Sequence, residues 1–151
     1  MTQYPNLSSL QANAGQELGV SNWLEITQTM VNTFGEVTQD QQWIHTDPER
    51  ARSDSPFGNT IAHGYLVLSL LPSMMRSVYS VEDAHMVINY GLNRVRFTSP
   101  VPVGTRIRAR AVLARFEWVN SGARVTLGVT FEGEGMPKPV CIAEIVGLLY
   151  E

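Results

Sequence analysis

Between residues 40 and 64 the chain sets an acid, two imidazoles and a glycine beside its most apolar helical pattern. They are Asp40, His45 and the pair His63-Gly64, within Asp40-Gln-Gln-Trp-Ile-His45-Thr-Asp-Pro-Glu-Arg-Ala51 and Ser55-Pro-Phe-Gly-Asn-Thr-Ile-Ala-His63-Gly64-Tyr65. A carboxylate and an imidazole that share one water can take a proton from it and deliver one elsewhere, which is the core of acid/base catalysis. A helix N-terminus at Gly64 would add unpaired backbone N–H groups and the positive end of the helix dipole. An oxyanion held there meets donors that already face it, each typically worth about 2.7–4 kcal/mol in the transition state.

Geometry sets a condition on this reading. Five residues apart on one regular helix, Asp40 and His45 would lie about 140° apart and could not converge. They meet only if the segment from 40 to 62 is irregular and folds back over the start of the next helix. Spacing alone leaves open that Asp40 caps a turn and His45 is an ordinary loop residue.

The elements around the segment must supply that fold-back. A short helix is expected around Leu7–Asn13, then a strand over Val20–Ile26. Thr27 is a suitable N-cap for a helix whose stripe is Met30, Val31, Phe34 and Val37, ending near Thr38 just before Asp40. Asp47-Pro48 reads as an N-cap followed by proline at the first helical position, and Ser55-Pro-Phe-Gly-Asn as turn chemistry. From Gly64 to Tyr79 the pattern is apolar almost all round, so a helix buried on most sides is expected, kinked or broken at Pro72.

The remainder reads as antiparallel strands. Ile88, Tyr90 and Leu92 share one parity and Val95 and Phe97 the other, which predicts a bulge near Gly91 or Asn93. Ile107, Ala109, Ala111 and Leu113 alternate with Arg106, Arg108 and Arg110, and Val125, Leu127, Val129 and Phe131 repeat the alternation after an Asn120-Ser-Gly hairpin signal. Val140–Tyr150 is a last strand, apolar on both faces. The plan is α+β: a single hotdog fold across residues 1–151, with a curved antiparallel sheet wrapped around a central apolar helix. Such a sheet leaves an edge open, and a homodimer is the expected cover.

Composition narrows the function classes. With 151 residues, 44% hydrophobic and 17% charged, the chain reads as one ordinary globular domain. A net charge of −3 argues against nucleic-acid binding. Seven of the eleven basic residues fall between Arg94 and Arg124, either as a solvated sheet face or as a cationic rim for a phosphate-bearing ligand. Cys141, the single cysteine, reads as a small buried hydrophobe and not a nucleophile. No apolar run reaches the roughly 18 residues of a membrane span. No secretory leader pattern opens the chain, so a cytoplasmic location and no membrane partner are expected. Three scattered histidines without a Cys/His/Asp cluster at ligand spacing imply no metal.

The stretch Asp40-x4-His45, Asp47-Pro-Glu-Arg-Ala and Ser55-Pro-Phe-Gly-Asn-Thr-Ile-Ala-His-Gly resembles the MaoC-like, R-specific enoyl-CoA hydratase family. The likeness is nearest to its short single-hotdog branch that includes nodulation-protein-N-like proteins. Ile88-Asn-Tyr-Gly-Leu-Asn-Arg-Val-Arg-Phe97 and Pro100-Val-Pro-Val-Gly-Thr-Arg-Ile-Arg108 are similar to that branch too, and the resemblance spans roughly residues 18–150. It implies that Asp40 and His45 hold one water against the β-carbon of a trans-2-enoyl-CoA thioester, while the Gly64 N–H helps bind the thioester oxygen. Asp40 would act as base with His45 assisting, and no cofactor is needed. Gln42, Trp43, His63, Tyr65, Asn93 and Arg94 are the candidate substrate contacts. Many members carry Asn-Pro where this chain has Gln42-Trp43; Gln42 keeps an orienting amide, and Trp43 would narrow the acyl pocket. His63 could instead cap or pack, and Asn93 could simply serve a strand bulge.

Two other readings share the ligand class. A hotdog acyl-CoA thioesterase commonly places its acid on the central helix, and residues 65–79 hold no Asp or Glu. A non-catalytic acyl-thioester-binding subunit would bind without turnover.

Overall fold

The computed structural model describes residues 1–151. Its largest element is a six-stranded antiparallel sheet built from β2 (Glu17–Val20), β3 (Leu24–Glu25), β5 (Met86–Phe97), β6 (Arg106–Val119), β7 (Gly122–Gly133) and β8 (Cys141–Tyr150). The order is β2-β6-β7-β8-β5, with β3 also paired to β6. The inner face follows the period of two: Ile107, Ala109, Ala111 and Leu113 on β6 and Val125, Leu127, Val129 and Phe131 on β7 are all buried. Against that face lie α5 (Gly64–Ser69) and α6 (Leu71–Met75), which bury Leu66, Val67, Leu71 and Met74. This is the hotdog arrangement.

The central helix expected over 64–79 is broken, as Pro72 led one to expect, but two residues earlier than the proline itself. It breaks at Leu70, and Pro72 falls in the first turn of α6, where its missing N–H leaves no bond unmade. It is also less enclosed than its composition suggests, because Tyr65 is 71% exposed and packs edge-on to Phe97. After α6 the chain enters β4 (Tyr79–Val81), which pairs in parallel with β1 (Thr2–Tyr4) as a small second sheet that periodicity does not announce.

The strand expected over Val20–Ile26 is likewise split. Ser21 leaves the ladder between β2 and β3; its hydroxyl accepts the Ala109 N–H at 2.9 Å and donates to the Asn22 carbonyl at 2.9 Å. The expected bulge in β5 is two bulges, between Asn89 and Gly91 and between Leu92 and Arg94. Val87, Leu92, Val95 and Phe97 are registered with Leu149, Ile145, Ala143 and Cys141 on the inner face, whereas Ile88 lies opposite Leu148 on the outer one. Ile88 and Leu92 therefore do not share a face.

Local signals fared better. Asn6 caps α1 (Leu7–Gln11) in a capping box, and Thr27 caps α2 (Gln28–Thr38) by accepting the Met30 N–H. Asp47 caps α4 (Pro48–Asp54) with proline in its first turn. Three of the arginines that read as a cationic rim are paired instead: Arg106 with Glu134, Arg108 with Glu132, and Arg110 with Glu132 and Glu17. Cys141 is fully buried, which pushes its thiol up to about 11 and leaves it inert as a nucleophile.

β5 stands at the open end of the sheet with nothing paired to its outer side. It is twelve residues long, and Val87, Ile88, Tyr90, Leu92 and Phe97 on it are exposed. Edge strands of soluble proteins are usually short, charged or covered.

Candidate active site

α2 ends at Gln39, whose φ of 59° is a left-handed conformation uncommon for a side chain other than glycine or asparagine. That turn reverses the chain, delivers Asp40 on an exposed loop and sends Gln42 into the N-cap of α3 (Trp43–Thr46). This single helical turn presents His45 inward. Gln28, from the first turn of α2, binds the His45 carbonyl through Nε2 at 2.7 Å and accepts the hydroxyl of the fully buried Thr60. One amide thus ties α2, α3 and the strand-like segment before α5 together.

His45 is 7% exposed, and its Nδ1 lies 2.7 Å from the Ile61 carbonyl. A carbonyl can only accept, so Nδ1 carries the proton and Nε2 is left with a bare lone pair. Burial is the largest influence on its pKa and lowers it from 6.5; the Ile61 bond raises it, His63 lowers it and Asp40 raises it, with a net downward shift. His45 is therefore neutral, and able to accept a proton, at ordinary pH.

A stability consequence follows. Between the lowered native pKa and 6.5 the unfolded chain binds more protons at His45 than the native one, so stability falls as pH drops through that window. The stabilising contribution is complete above 6.5. Thermal melts from pH 7.5 to 5 should show a declining Tm with a shallower decline for His45→Gln; identical slopes would refute the assignment.

The fold brings together what the sequence scattered. Ligand-type atoms of Asp40, His45 and His63 lie within 4.8 Å of one another, so the fold-back condition is met and two of the three histidines share one site. The expectation of dispersed histidines is thereby corrected. The set also has the composition of a metal centre, but the two imidazoles stack at 3.9 Å with planes 26° apart. In-plane lone pairs on rings so nearly parallel run side by side, and ligating one ion would require a ring to turn. The arrangement suits proton transfer through Asp40 and the bare Nε2 of His45.

Gly64 opens α5 immediately beyond. The first bond of this helix runs from the Val67 N–H to the His63 carbonyl, and no side chain caps it, so the preceding N–H groups have no partner within the helix. A Cβ on Gly64 would sit 2.8 Å from the Phe97 ring, which explains why this position is glycine. His45, Gly64, Val67, Phe97 and Pro100 line a cavity of about 240 Å³. A second cavity of about 440 Å³ lies past the helix break, walled by Leu71, Met75, Val87, Leu127 and Leu149, with Tyr79 and Asn89 also on its surface.

The other expected contacts divide. His63 is 2% exposed and does not line the cavity beside Gly64; Tyr65 is exposed at its rim against Phe97. Gln42 contributes its backbone carbonyl, which accepts the His45 N–H at 2.9 Å. Trp43 stacks beneath the Arg50 guanidinium at 4.3 Å. Neither Gln42 nor Trp43 lines that cavity. Asn93 lies in the second bulge and donates to Glu144 at 2.7 Å, and Arg94 is exposed beside it; neither joins the cluster around His45. Sequence reasoning passed over Ile61, whose carbonyl fixes the His45 tautomer, and Gly35 in the middle of α2. A glycine inside a helical pattern costs about 1 kcal/mol relative to alanine, and that was the available signal for a packing role.

Comparison with known proteins identifies the family. Residues 9–133 match the MaoC like domain. The chain is 47% identical over 147 residues to 3-hydroxyacyl-thioester dehydratase Z of Mycobacterium tuberculosis, covering 97% of each chain. It is 42% identical over 146 residues to nodulation protein N of Rhizobium leguminosarum bv. viciae, covering 95% of this chain and 91% of that one. The solved (R)-hydratase PhaJ1 of Pseudomonas aeruginosa superposes with a TM-score of 0.73 at 23% identity, over 91% of this chain and 82% of that one. The chain belongs to the MaoC-like dehydratase family and is a hydro-lyase of the hotdog fold.

Proposed function

We propose that the protein is an R-specific enoyl-CoA hydratase that adds water to a trans-2-enoyl-CoA thioester to give the (R)-3-hydroxyacyl-CoA, and catalyses the reverse dehydration. The observation that carries this is the Asp40 carboxylate and His45 within 4.8 Å of one another, with Nδ1 of His45 committed to Ile61, beside the unpaired N–H groups at the start of α5.

Water enters between Asp40 and His45. Asp40 takes one proton while Nε2 of His45 accepts a hydrogen bond from the O–H that is retained and orients the oxygen toward the β-carbon. The C–O bond forms as the enoyl π electrons move to the thioester oxygen, which becomes an enolate held by the Gly64 N–H. The proton taken from water then goes to the α-carbon, so the dyad ends in its starting state and no cofactor is consumed. The apolar cavity past the helix break is the place for an acyl tail, with Met75 and Leu71 at its wall. A homodimer through β5 covers the exposed edge. With Arg106, Arg108 and Arg110 paired to acids, Arg94 and Arg96 remain the candidates for the phosphates of coenzyme A.

Loss of enoyl-thioester absorbance with crotonyl-CoA, followed beside free-thiol release, tests the reading. Absorbance loss without thiol is expected. Thiol release with the enoyl group intact would replace hydration with thioester hydrolysis, and binding with neither signal would make the chain a non-catalytic carrier of acyl thioesters.

A further inference from the structure

His63 sits at the centre of the cluster without facing the cavity beside it. Its Nε2–H donates to the backbone carbonyl of Asp40 at 2.8 Å, joining residues 23 apart in sequence. Its ring stacks on His45 at 3.9 Å, and Phe34 of α2 packs against it at 5.1 Å. The same Asp40 carbonyl is approached from α2 by Gly35, where an added Cβ would lie 2.9 Å from that oxygen and 3.6 Å from Cε1 of His63. One carbonyl, belonging to the residue that bears the carboxylate, is thus held between a missing side chain and an imidazole N–H. With Nε2 committed in this way, Nδ1 of His63 is buried and has no partner. The histidine is placed for its N–H and its flat face, not for two hydrogen bonds.

We propose that His63 is a positioning residue: with Gly35 it clamps the Asp40 carbonyl while its ring fixes the plane of His45, so that carboxylate and Nε2 address the same water. The role rests on the hydratase reading above. Glutamine can offer an N–H at similar reach but no ring; phenylalanine offers the ring but no N–H. The two substitutions separate the two halves of the clamp. The titratable groups facing His45 are Asp40 from the loop and His63 from the α5 N-cap, so removing the His63 ring also removes one influence that lowers the basicity of His45.

His63→Phe should lower kcat by about 100-fold with KM little changed, the cost of a misplaced reacting group. His63→Gln should recover at least about tenfold of that loss, because the carbonyl bond is remade, yet shift the acid limb of kcat/KM to higher pH. Gly35→Ala, which pushes the carbonyl from the other side, should resemble His63→Phe. Wild-type kcat in both His63→Phe and Gly35→Ala, or a loss expressed in KM, would overturn the clamp. So would a glutamine variant no better than phenylalanine. If His63→Phe does not fold, Gly35→Ala and His63→Gln carry the comparison. NMR of the His45 ring in wild type and His63→Gln provides a readout that needs no turnover: ring signals broadened or averaged by new ring motion support the clamp, and ring dynamics unchanged from wild type overturn it. A wild-type protein inactive on enoyl thioesters would count against the hydratase reading, while the NMR arm still decides the clamp.

Discussion

Asp40→Asn is expected to yield a folded protein whose kcat with crotonyl-CoA is lower by about 10²–10⁴-fold, the usual contribution of a positioned acid/base group. The amide is isosteric with the carboxylate and can still orient water, but it cannot take a proton from it. Asp40 is exposed, so the fold should tolerate the change and melts should nearly coincide with wild type. KM should move little, since the lost interaction belongs to the transition state. His45→Gln should fall by a similar factor, and the double variant by little more than either single one, because the pair acts as a unit. The measurement is the initial rate of enoyl absorbance loss at saturating substrate. Activity of Asp40→Asn close to wild type would remove Asp40 from the chemistry and with it the proposed dyad.

The second large effect concerns assembly. Gel filtration should give a species of twice the 16.8 kDa chain mass, since β5 leaves twelve residues of ladder and six exposed apolar side chains on an unpaired edge. Leu92→Lys should convert it to monomer, because a charge on an edge strand is tolerated in water and strongly unfavourable inside an interface. Activity should fall with the dimer. Phe97, at the end of the same strand, packs against Gly64, so loosening β5 loosens the wall of the cavity beside His45. A wild-type monomer at micromolar concentration, or a fully active Leu92→Lys monomer, would end the claim that the edge must be covered.

What could be read from the chain was whatever depends on near neighbours. The cap at Thr27, the Asp47-Pro48 start and the alternation on β6 and β7 each follow from a few adjacent residues, and each is present. The helix break is likewise local, signalled by Pro72, whereas the two bulges in β5 and the parallel β1–β4 pair are decided by what lies across the fold, and a one-dimensional pattern under-counts or misses them. The site divides in the same way. Asp40, His45 and Gly64 were recognisable by type and motif. The tautomer of His45 depends on a carbonyl 16 residues away, and the setting of His63 on one 23 residues away. Asn93, readable from sequence either as a site contact or as a bulge residue, lies in the bulge and donates to Glu144 across the strands.

The left-handed turn at Gln39 has a bearing on how this enzyme could be improved. A residue with a Cβ in that conformation carries roughly 1–2 kcal/mol of strain, which glycine would release. Position 39 is thus an obvious target for anyone seeking thermostability. It is also the hinge that aims the carboxylate next to it, and glycine would widen the range of directions open to that hinge. At this one residue, relief of backbone strain would come at the expense of a looser aim for Asp40.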